Sequence, residues 1–245
     1  RRPRAPYDPS SRPNNPGSLF NGMISPLVPF SIRGATWYQG ESNVSRAYQY
    51  RSLFPAMIYD WRERWGLGEF PFYFVQIAPY RYSRNPSEMG AELREAQLFT
   101  MQGVSNTGMA VTLDIGNPRD IHPRNKQEVG RRLALWALRD TYGRSNIQPS
   151  GPVYSSFNVE GGAVVIDFKQ AETVLKSING LPLSHFEIAG DDRVFHPAEK
   201  VEILDKKKIL VFTRRVKNPI AARYAWSDDA VPNLGNNEGL PASSF

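Results

Sequence analysis

The first 143 residues alternate short apolar runs with longer stretches of helical periodicity, and this order constrains the fold more than any other feature of the sequence. Apolar runs that predict buried strands lie at 34–39, 70–80 and 108–116. Stretches with apolar residues on one helical face lie at 50–65, 88–103 and about 124–142. A repeated strand and helix order predicts a parallel sheet covered by helices on both faces, so the expected class is α/β.

Beyond Gly143 the pattern changes to short strand-like runs separated by turn-forming residues. These runs lie at 163–168, 185–190, 200–204, 208–213 and 221–226. Their spacing predicts an antiparallel sheet or sandwich. The start of the chain, "RRPRAPYDPSSRPNNPG", is rich in proline and predicts a linker or tail. We therefore divide the chain into a tail at 1–17, part of an α/β domain at 18–147 and a smaller β-rich domain at 148–245.

Composition excludes several classes of function. The net charge of +6 is dispersed, and its densest patches are Arg1 to Arg4 in the tail and Lys206 to Lys208, which predict a hairpin tip. A solvated surface therefore explains the charge better than a nucleic acid partner does. No run approaches the roughly 20 apolar residues that a membrane span needs. The absence of cysteine excludes disulfides, thiolate zinc sites and a cysteine nucleophile.

A polar cluster, Gln39-Gly40-Glu41-Ser42-Asn43, follows the first predicted strand. It holds more polar groups than a turn requires. In parallel sheets, ligands bind outside the carboxyl ends of the strands, so this cluster is a candidate site. Capping of the next helix by Ser42, Asn43 or their neighbours is the competing explanation, and both can hold together.

A second polar cluster follows the third predicted strand, from Asp114 to His122. Pro123 favours an extended backbone at His122 and is suited to the first turn of a helix. With Asp120 two residues away and Asp114 closing the strand, His122 is a candidate general base. A surface loop that merely contains a histidine is the alternative.

The remaining histidines, His185 and His196, are separated by 11 residues and have no carboxylates at metal-ligand spacing. We expect them to be structural, and we expect no metal site.

Together these segments resemble the sialate O-acetylesterase family of SGNH hydrolases, which is similar to the acetylxylan esterases of carbohydrate esterase family 6. The resemblance covers about residues 15–245 and rests on "GATWYQGESN", "LREAQ", "DIGNPRDIHPRNKQEVGRRLALWAL", "AARYAW" and "NEGLPASSF". It implies a three-layer SGNH core, hydrolysis of an acetyl ester on a sugar, no cofactor, and an extracellular or periplasmic location. In such chemistry a serine attacks the acetyl carbonyl, a histidine takes the serine proton, and polar donors hold the oxyanion.

The resemblance assigns His122 to the family histidine. Many relatives place the orienting aspartate three residues earlier, where this chain has Arg119. Asp120 is the nearby acid, so the orienting acid is either Asp120 or absent, as in a serine–histidine dyad.

The first cluster matches the family block that contributes polar groups to the site. Gln39, Gly40 and Asn43 are candidate oxyanion or substrate-binding residues. Ionised Glu41 can only accept hydrogen bonds, so we expect it to orient its neighbours or bind sugar hydroxyls.

The family nucleophile lies in an earlier Gly-Asp-Ser or Gly-Gln-Ser block, and no such block precedes "WYQGESN" in this sequence. We therefore expect an incomplete core, with the nucleophilic serine supplied by a segment upstream. Two alternatives remain open. One is a complete minimal esterase that uses Ser42, and the other is a carbohydrate-binding module in which Tyr224 and Trp226 stack on sugar rings.

Overall fold

The computed structural model describes residues 15–169 and 174–245. Most of the predicted tail, including Arg1 to Arg4, lies outside the described residues. The first part of the described chain contains β1 (Ala35–Trp37), α1 (Ala47–Trp65), β2 (Phe72–Val75), α2 (Met89–Gly103), β3 (Thr107–Ala110) and α3 (Lys126–Trp136). Short helical turns lie at Phe20–Ile24, Ser25–Leu27, Glu41–Arg46 and Ala137–Thr141.

The strands β1, β2 and β3 form a parallel sheet in that spatial order within the described residues. In its register Thr36 lies opposite Tyr73, which lies opposite Gly108. The prediction of an α/β fold with a parallel sheet is confirmed. Each strand is shorter than its apolar run, because the chain leaves the sheet after Val75 and Ala110 while remaining buried.

The prediction of a buried first strand is wrong. All four residues of β2 are buried, whereas Thr36 is exposed and Ala35 and Trp37 are half-buried. The reason is position: β2 lies between two strands, but β1 pairs only with β2 in the described part of the chain.

Helix α1 packs its apolar face on the sheet. Tyr50, Phe54 and Ile58 recur every four residues and are buried. The helix ends at Gly66, whose positive φ of 62° lets its N–H reach the carbonyls of the last turn. Capping by the polar cluster is not observed, because the helix begins at Ala47 without a side-chain cap.

Helix α3 begins later and ends earlier than predicted. Asn125 caps it, because the backbone N–H of Glu128 donates to Asn125 Oδ1 at 3.1 Å. Pro123 therefore precedes the helix instead of lying in its first turn. After Trp136 the backbone continues as the π-helical turn Ala137–Thr141.

The second half of the described chain is antiparallel β structure, as predicted. Its strands are β4 (Val153–Glu160), β5 (Ala163–Lys169), β6 (Leu175–Ser177), β7 (Phe186–Ala189), β8 (His196–Pro197), β9 (Lys200–Ile203), β10 (Lys208–Phe212), β11 (Ala221–Tyr224) and β12 (Leu234–Asn236). Among the described residues they form three sheets, ordered β4-β5-β10-β9, β11-β7-β8 and β12-β6. Lys206 and Lys207 lie in the turn between the paired strands β9 and β10, so the predicted hairpin tip is confirmed.

The end of the chain joins the two halves. Ser243 and Ser244 are buried, and their hydroxyls accept hydrogen bonds from Gln76 Nε2 at 2.7 Å and Arg94 Nε at 2.9 Å. Gln76 follows β2 and Arg94 lies on α2, so polar contacts hold the parallel sheet and its helix against the β-rich half.

Tyr224 is part of the core, which excludes the alternative in which its ring stacks on sugar. Its side chain is buried beside Phe186 and Phe245, and its hydroxyl accepts the backbone N–H of Leu234 at 2.9 Å. A ring with no exposed surface cannot stack on a glycan. Trp226 is half-buried.

Candidate active site

Both predicted polar clusters follow strands of the parallel sheet at its carboxyl edge. The first begins two residues after Trp37, the last residue of β1, and the second lies in the loop from β3 to α3. The start of α3 reaches the residue that precedes the first cluster, because Lys126 Nζ lies 4.5 Å from the centroid of the Tyr38 ring. Ligands of open α/β sheets bind at this edge.

Two hydrogen bonds orient the Gln39 amide. Its Nε2 donates to Asn43 Oδ1 at 2.7 Å, and its Oε1 accepts from the Tyr50 hydroxyl at 3.1 Å. Burial raises the pKa of Tyr50 to about 12, so this hydroxyl keeps its proton at neutral pH. One N–H of Gln39 and the Asn43 amide N–H groups remain available as donors, which is the chemistry that an oxyanion requires.

Gln97 fixes the backbone of this cluster, and the sequence analysis assigned it no role. The side chain is fully buried on α2. Its Oε1 accepts the Ile77 N–H at 2.9 Å, and its Nε2 donates to the carbonyls of Val75 at 3.2 Å and Gln39 at 3.3 Å. One amide thus links α2 to the ends of β1 and β2. The sequence did contain a signal for this role. Gln97 and Arg94 are polar residues on the apolar face of α2, and buried polar side chains need hydrogen-bond partners.

Gly40 lies where no side chain fits. A Cβ at this position would be 2.7 Å from Ile77 Cγ2, 3.1 Å from Leu93 Cδ2 and 3.2 Å from Gln97 Nε2. The glycine therefore lets the Gln39 carbonyl approach α2 closely.

Glu41 opens the 3₁₀ turn and is half-buried. Burial, with a smaller contribution from the Glu41 charge, raises the pKa of Tyr38 to about 12. Glu41 forms no ion pair or side-chain hydrogen bond with any described residue, so its oxygens remain free acceptors. Ser42 is exposed, and within the described chain its hydroxyl contacts no histidine ring at hydrogen-bond distance.

His122 projects into solvent, with 89% of its side chain exposed. Asp120 Oδ1 accepts the backbone N–H of His122 at 3.0 Å, whereas the distance from Asp120 Oδ1 to His122 Nδ1 is 3.8 Å. That second distance exceeds a hydrogen bond. The carboxylate therefore shapes the backbone at His122 and lies near the ring without holding it.

Asp114 is not free to assist His122. Its two oxygens accept hydrogen bonds from Arg132 at 2.6 and 2.7 Å. The sequence analysis missed Arg132, although it falls on the same helical face as Val129 and Trp136, and all three are buried. The signal in the sequence was a charged residue on the apolar face of a helix, since a buried charge needs a partner.

The other two histidines lie in the β-rich half. His185 Nδ1 is 2.8 Å from Ser184 Oγ, and burial lowers the pKa of its ring. His196 lies in β8. Across residues 15–169 and 174–245, no group of histidine, aspartate and glutamate side chains is arranged to hold a metal ion.

Comparisons with known proteins agree on one family. Residues 14–139 match the carbohydrate esterase family of sialic acid-specific acetylesterases. Human sialate O-acetylesterase is 32% identical over 98% of this chain and 50% of the human protein. The mouse sialate O-acetylesterase is 33% identical over 88% of this chain and 43% of its own length.

A crystal structure of a carbohydrate acetylesterase from Xanthomonas citri has the same fold. It superposes with a TM-score of 0.87 at 41% identity, over 93% of this chain and 53% of that chain. The chain thus spans about half the length of the relatives it matches, or less.

Proposed function

This chain belongs to the carbohydrate esterase family of sialic acid-specific acetylesterases, and we propose that it is part of an enzyme that hydrolyses acetyl esters on sugars. The observation that carries the proposal is the placement of two family motifs. The Gln39 cluster and the His122 loop both follow strands of one parallel sheet at its carboxyl edge. An esterase needs a base and oxyanion donors at one place, and this edge can supply both.

The proposed reaction is acyl transfer to serine followed by hydrolysis. The serine oxygen bonds to the acetyl carbon as His122 takes the hydroxyl proton. The carbonyl oxygen becomes an oxyanion, which the free N–H groups of Gln39 and Asn43 stabilise. His122 then returns the proton to the departing sugar oxygen. Water repeats the sequence on the acetyl-serine and releases acetate, while Glu41 accepts hydrogen bonds from sugar hydroxyls.

We further propose that the nucleophilic serine comes from a segment upstream of this chain. Two observations support this. Gly-Asp-Ser and Gly-Gln-Ser blocks are absent before "WYQGESN". In addition, Ser42 is exposed at the start of a short 3₁₀ helix without a histidine partner among the described residues. The segment would also add a strand beside β1, whose outer edge is unpaired in the described chain.

The charge around the edge supports an acidic sugar as substrate. Arg119, Arg124 and Lys126 are exposed, and none of them forms an ion pair with a described residue. Such cations attract a carboxylate, which a sialic acid carries and a neutral xylan unit lacks. We therefore propose a sialate O-acetylesterase in preference to an acetylxylan esterase.

We retain the proposal of an extracellular or periplasmic location, with no nucleic acid or membrane partner. No helix in the described residues has the length and apolarity to cross a bilayer.

The proposal can be tested in the intact protein that carries this chain. His122→Ala should lower turnover of an aryl acetate by about three orders of magnitude or more, as removal of a triad member does. The matched control is His196→Ala, a histidine of the β-rich half, which should leave turnover unchanged. Turnover of His122→Ala within about tenfold of wild type would remove His122 from the mechanism.

A fluorophosphonate probe followed by peptide mapping locates the nucleophile. We expect label on a serine upstream of this chain and none on Ser42. Label on Ser42 would instead support the minimal esterase. Preference for an O-acetylated sialoside over an acetylated xylo-oligosaccharide, weakened by added salt, tests the proposed substrate.

A further inference from the structure

Arg132 is a buried cation that contacts the beginning of the loop that carries His122. Only 4% of its side chain is exposed. Its Nη1 donates to the Val111 carbonyl at 2.5 Å, and Nη1 and Nη2 donate to the two oxygens of Asp114 at 2.6 and 2.7 Å. Both partners lie just after β3, where the loop starts.

The same guanidinium also contacts the end of the loop. Its Nε donates to Glu128 Oε1 at 2.8 Å. Glu128 lies in the first turn of α3, and its backbone N–H is held by the capping residue Asn125. Arg132 therefore contacts Val111 just before segment 112–125, Asp114 near its start, and Glu128 just after its end.

His122 has no comparable anchor of its own. Its side chain is largely exposed, its backbone N–H donates to Asp120 of the same loop, and the Asp120 carboxylate lies 3.8 Å from the ring without a hydrogen bond to it. The position of the imidazole consequently depends on the contacts that hold the loop backbone: those of Arg132 at the two ends, and the hydrogen bond from the Arg81 N–H to the Pro118 carbonyl at 3.1 Å in the middle. Since a displacement of about 1 Å at a catalytic group can cost about 100-fold in rate, this dependence has kinetic consequences.

Arginine suits this role better than lysine. Burial by itself lowers the pKa of Arg132, but the hydrogen bonds and charges of Asp114 and Glu128 outweigh burial and leave the pKa raised. The side chain is therefore always charged. Its planar fork binds both oxygens of Asp114 at once, which an ammonium group cannot do with the same geometry.

We propose that Arg132 is a positioning residue for the esterase reaction. It fixes the His122 loop by holding Asp114 and Val111 at one end and Glu128 at the other. The kinetic part of this inference rests on the function proposed above, whereas the structural part does not.

The first experiment compares Arg132→Met with Arg131→Met in the intact protein. Arg131 also bonds to Glu128, but it is exposed and contacts neither Val111 nor Asp114, so it is a matched control. We expect Arg132→Met to lower kcat on an aryl acetate by about 100-fold with a much smaller change in KM. Hydrogen exchange over residues 112–124 should be about tenfold faster or more. Arg131→Met should match wild type in both measurements.

A double variant separates positioning from stability. Arg132→Met with Asp114→Leu replaces a buried pair by apolar side chains, which commonly restores stability. We expect its Tm to recover while kcat and loop exchange do not. Recovery of kcat together with Tm would show that Arg132 acts only through stability and would overturn the proposal.

The test still gives an answer if Arg132→Met does not fold or if the wild-type protein has no esterase activity. If Arg132→Met does not fold, Arg132→Lys replaces it, and we expect intermediate loop exchange and intermediate kcat. Wild-type exchange and kcat in Arg132→Lys would contradict the need for a bidentate fork. If the wild-type protein has no esterase activity, the proposed function fails, and loop exchange alone then decides whether Arg132 holds the loop.

Discussion

Replacing Gln97 by leucine should weaken the protein and its catalysis together. Leucine keeps much of the side-chain volume but removes three hydrogen bonds, to the Ile77 N–H and to the carbonyls of Val75 and Gln39. Each buried hydrogen bond contributes about 1 kcal/mol net, so the free energy of unfolding should fall by about 3 kcal/mol. The Ile77 N–H is left without its partner, which makes this value a lower bound.

The same substitution should reduce turnover, because Gln97 Nε2 donates to the carbonyl of Gln39, whose side chain is a candidate oxyanion donor. Loss of one properly placed oxyanion donor costs about 10² to 10³ in kcat, and we expect a fall near the lower figure. Thermal unfolding should show a Tm lower by roughly 6 to 12 °C, since 1 kcal/mol corresponds to about 2 to 4 °C at this chain length.

Denaturant unfolding and aryl acetate hydrolysis measure the two effects. The matched control is Gln102→Leu, an amide on the exposed side of the same helix, which should change neither quantity. A Gln97→Leu variant that loses less than about 1 kcal/mol would refute the accounting of these hydrogen bonds. A variant that loses stability but keeps wild-type kcat would refute the link from Gln97 to the Gln39 cluster.

The remaining predictions concern two acidic residues. Asp120→Asn should lower kcat on an aryl acetate much less than His122→Ala does, because the carboxylate accepts the backbone N–H of His122 and lies 3.8 Å from its ring. An equal loss of kcat would instead make Asp120 a triad acid. Hydrogen bonds from Arg131, with those from Arg132, lower the pKa of Glu128 from 4.5 to about 2. The folded pKa lies below the unfolded one, so the stabilisation is complete above about pH 4.5 and is lost as pH falls towards 2. Unfolding free energies between pH 6 and pH 2 should therefore fall less steeply in Glu128→Gln than in wild type, and parallel curves would contradict this assignment.

Local patterns in the sequence determined the class of fold. Apolar runs and helical spacing located β2, α1 and α2 within a few residues, and the change of period after Gly143 located the antiparallel half. These features depend on residues that are near one another in the chain, since periodicity and turn chemistry are local properties. The same pattern placed the two polar clusters at strand ends, and a parallel sheet then brought them to one edge.

The tertiary structure decided burial and partnership. The sequence assigned β1 the wrong environment and left a sugar-stacking role open for Tyr224, because an apolar or aromatic strand residue gives the same local pattern at the centre and at the edge of a sheet. The hydrogen bond from Gln97 to Gln39 spans 58 residues, and the pair of Arg132 with Asp114 spans 18. Such contacts form only when packing removes water and requires each buried polar group to find a partner, so the sequence marks the groups that need partners but leaves the choice of partner to the fold.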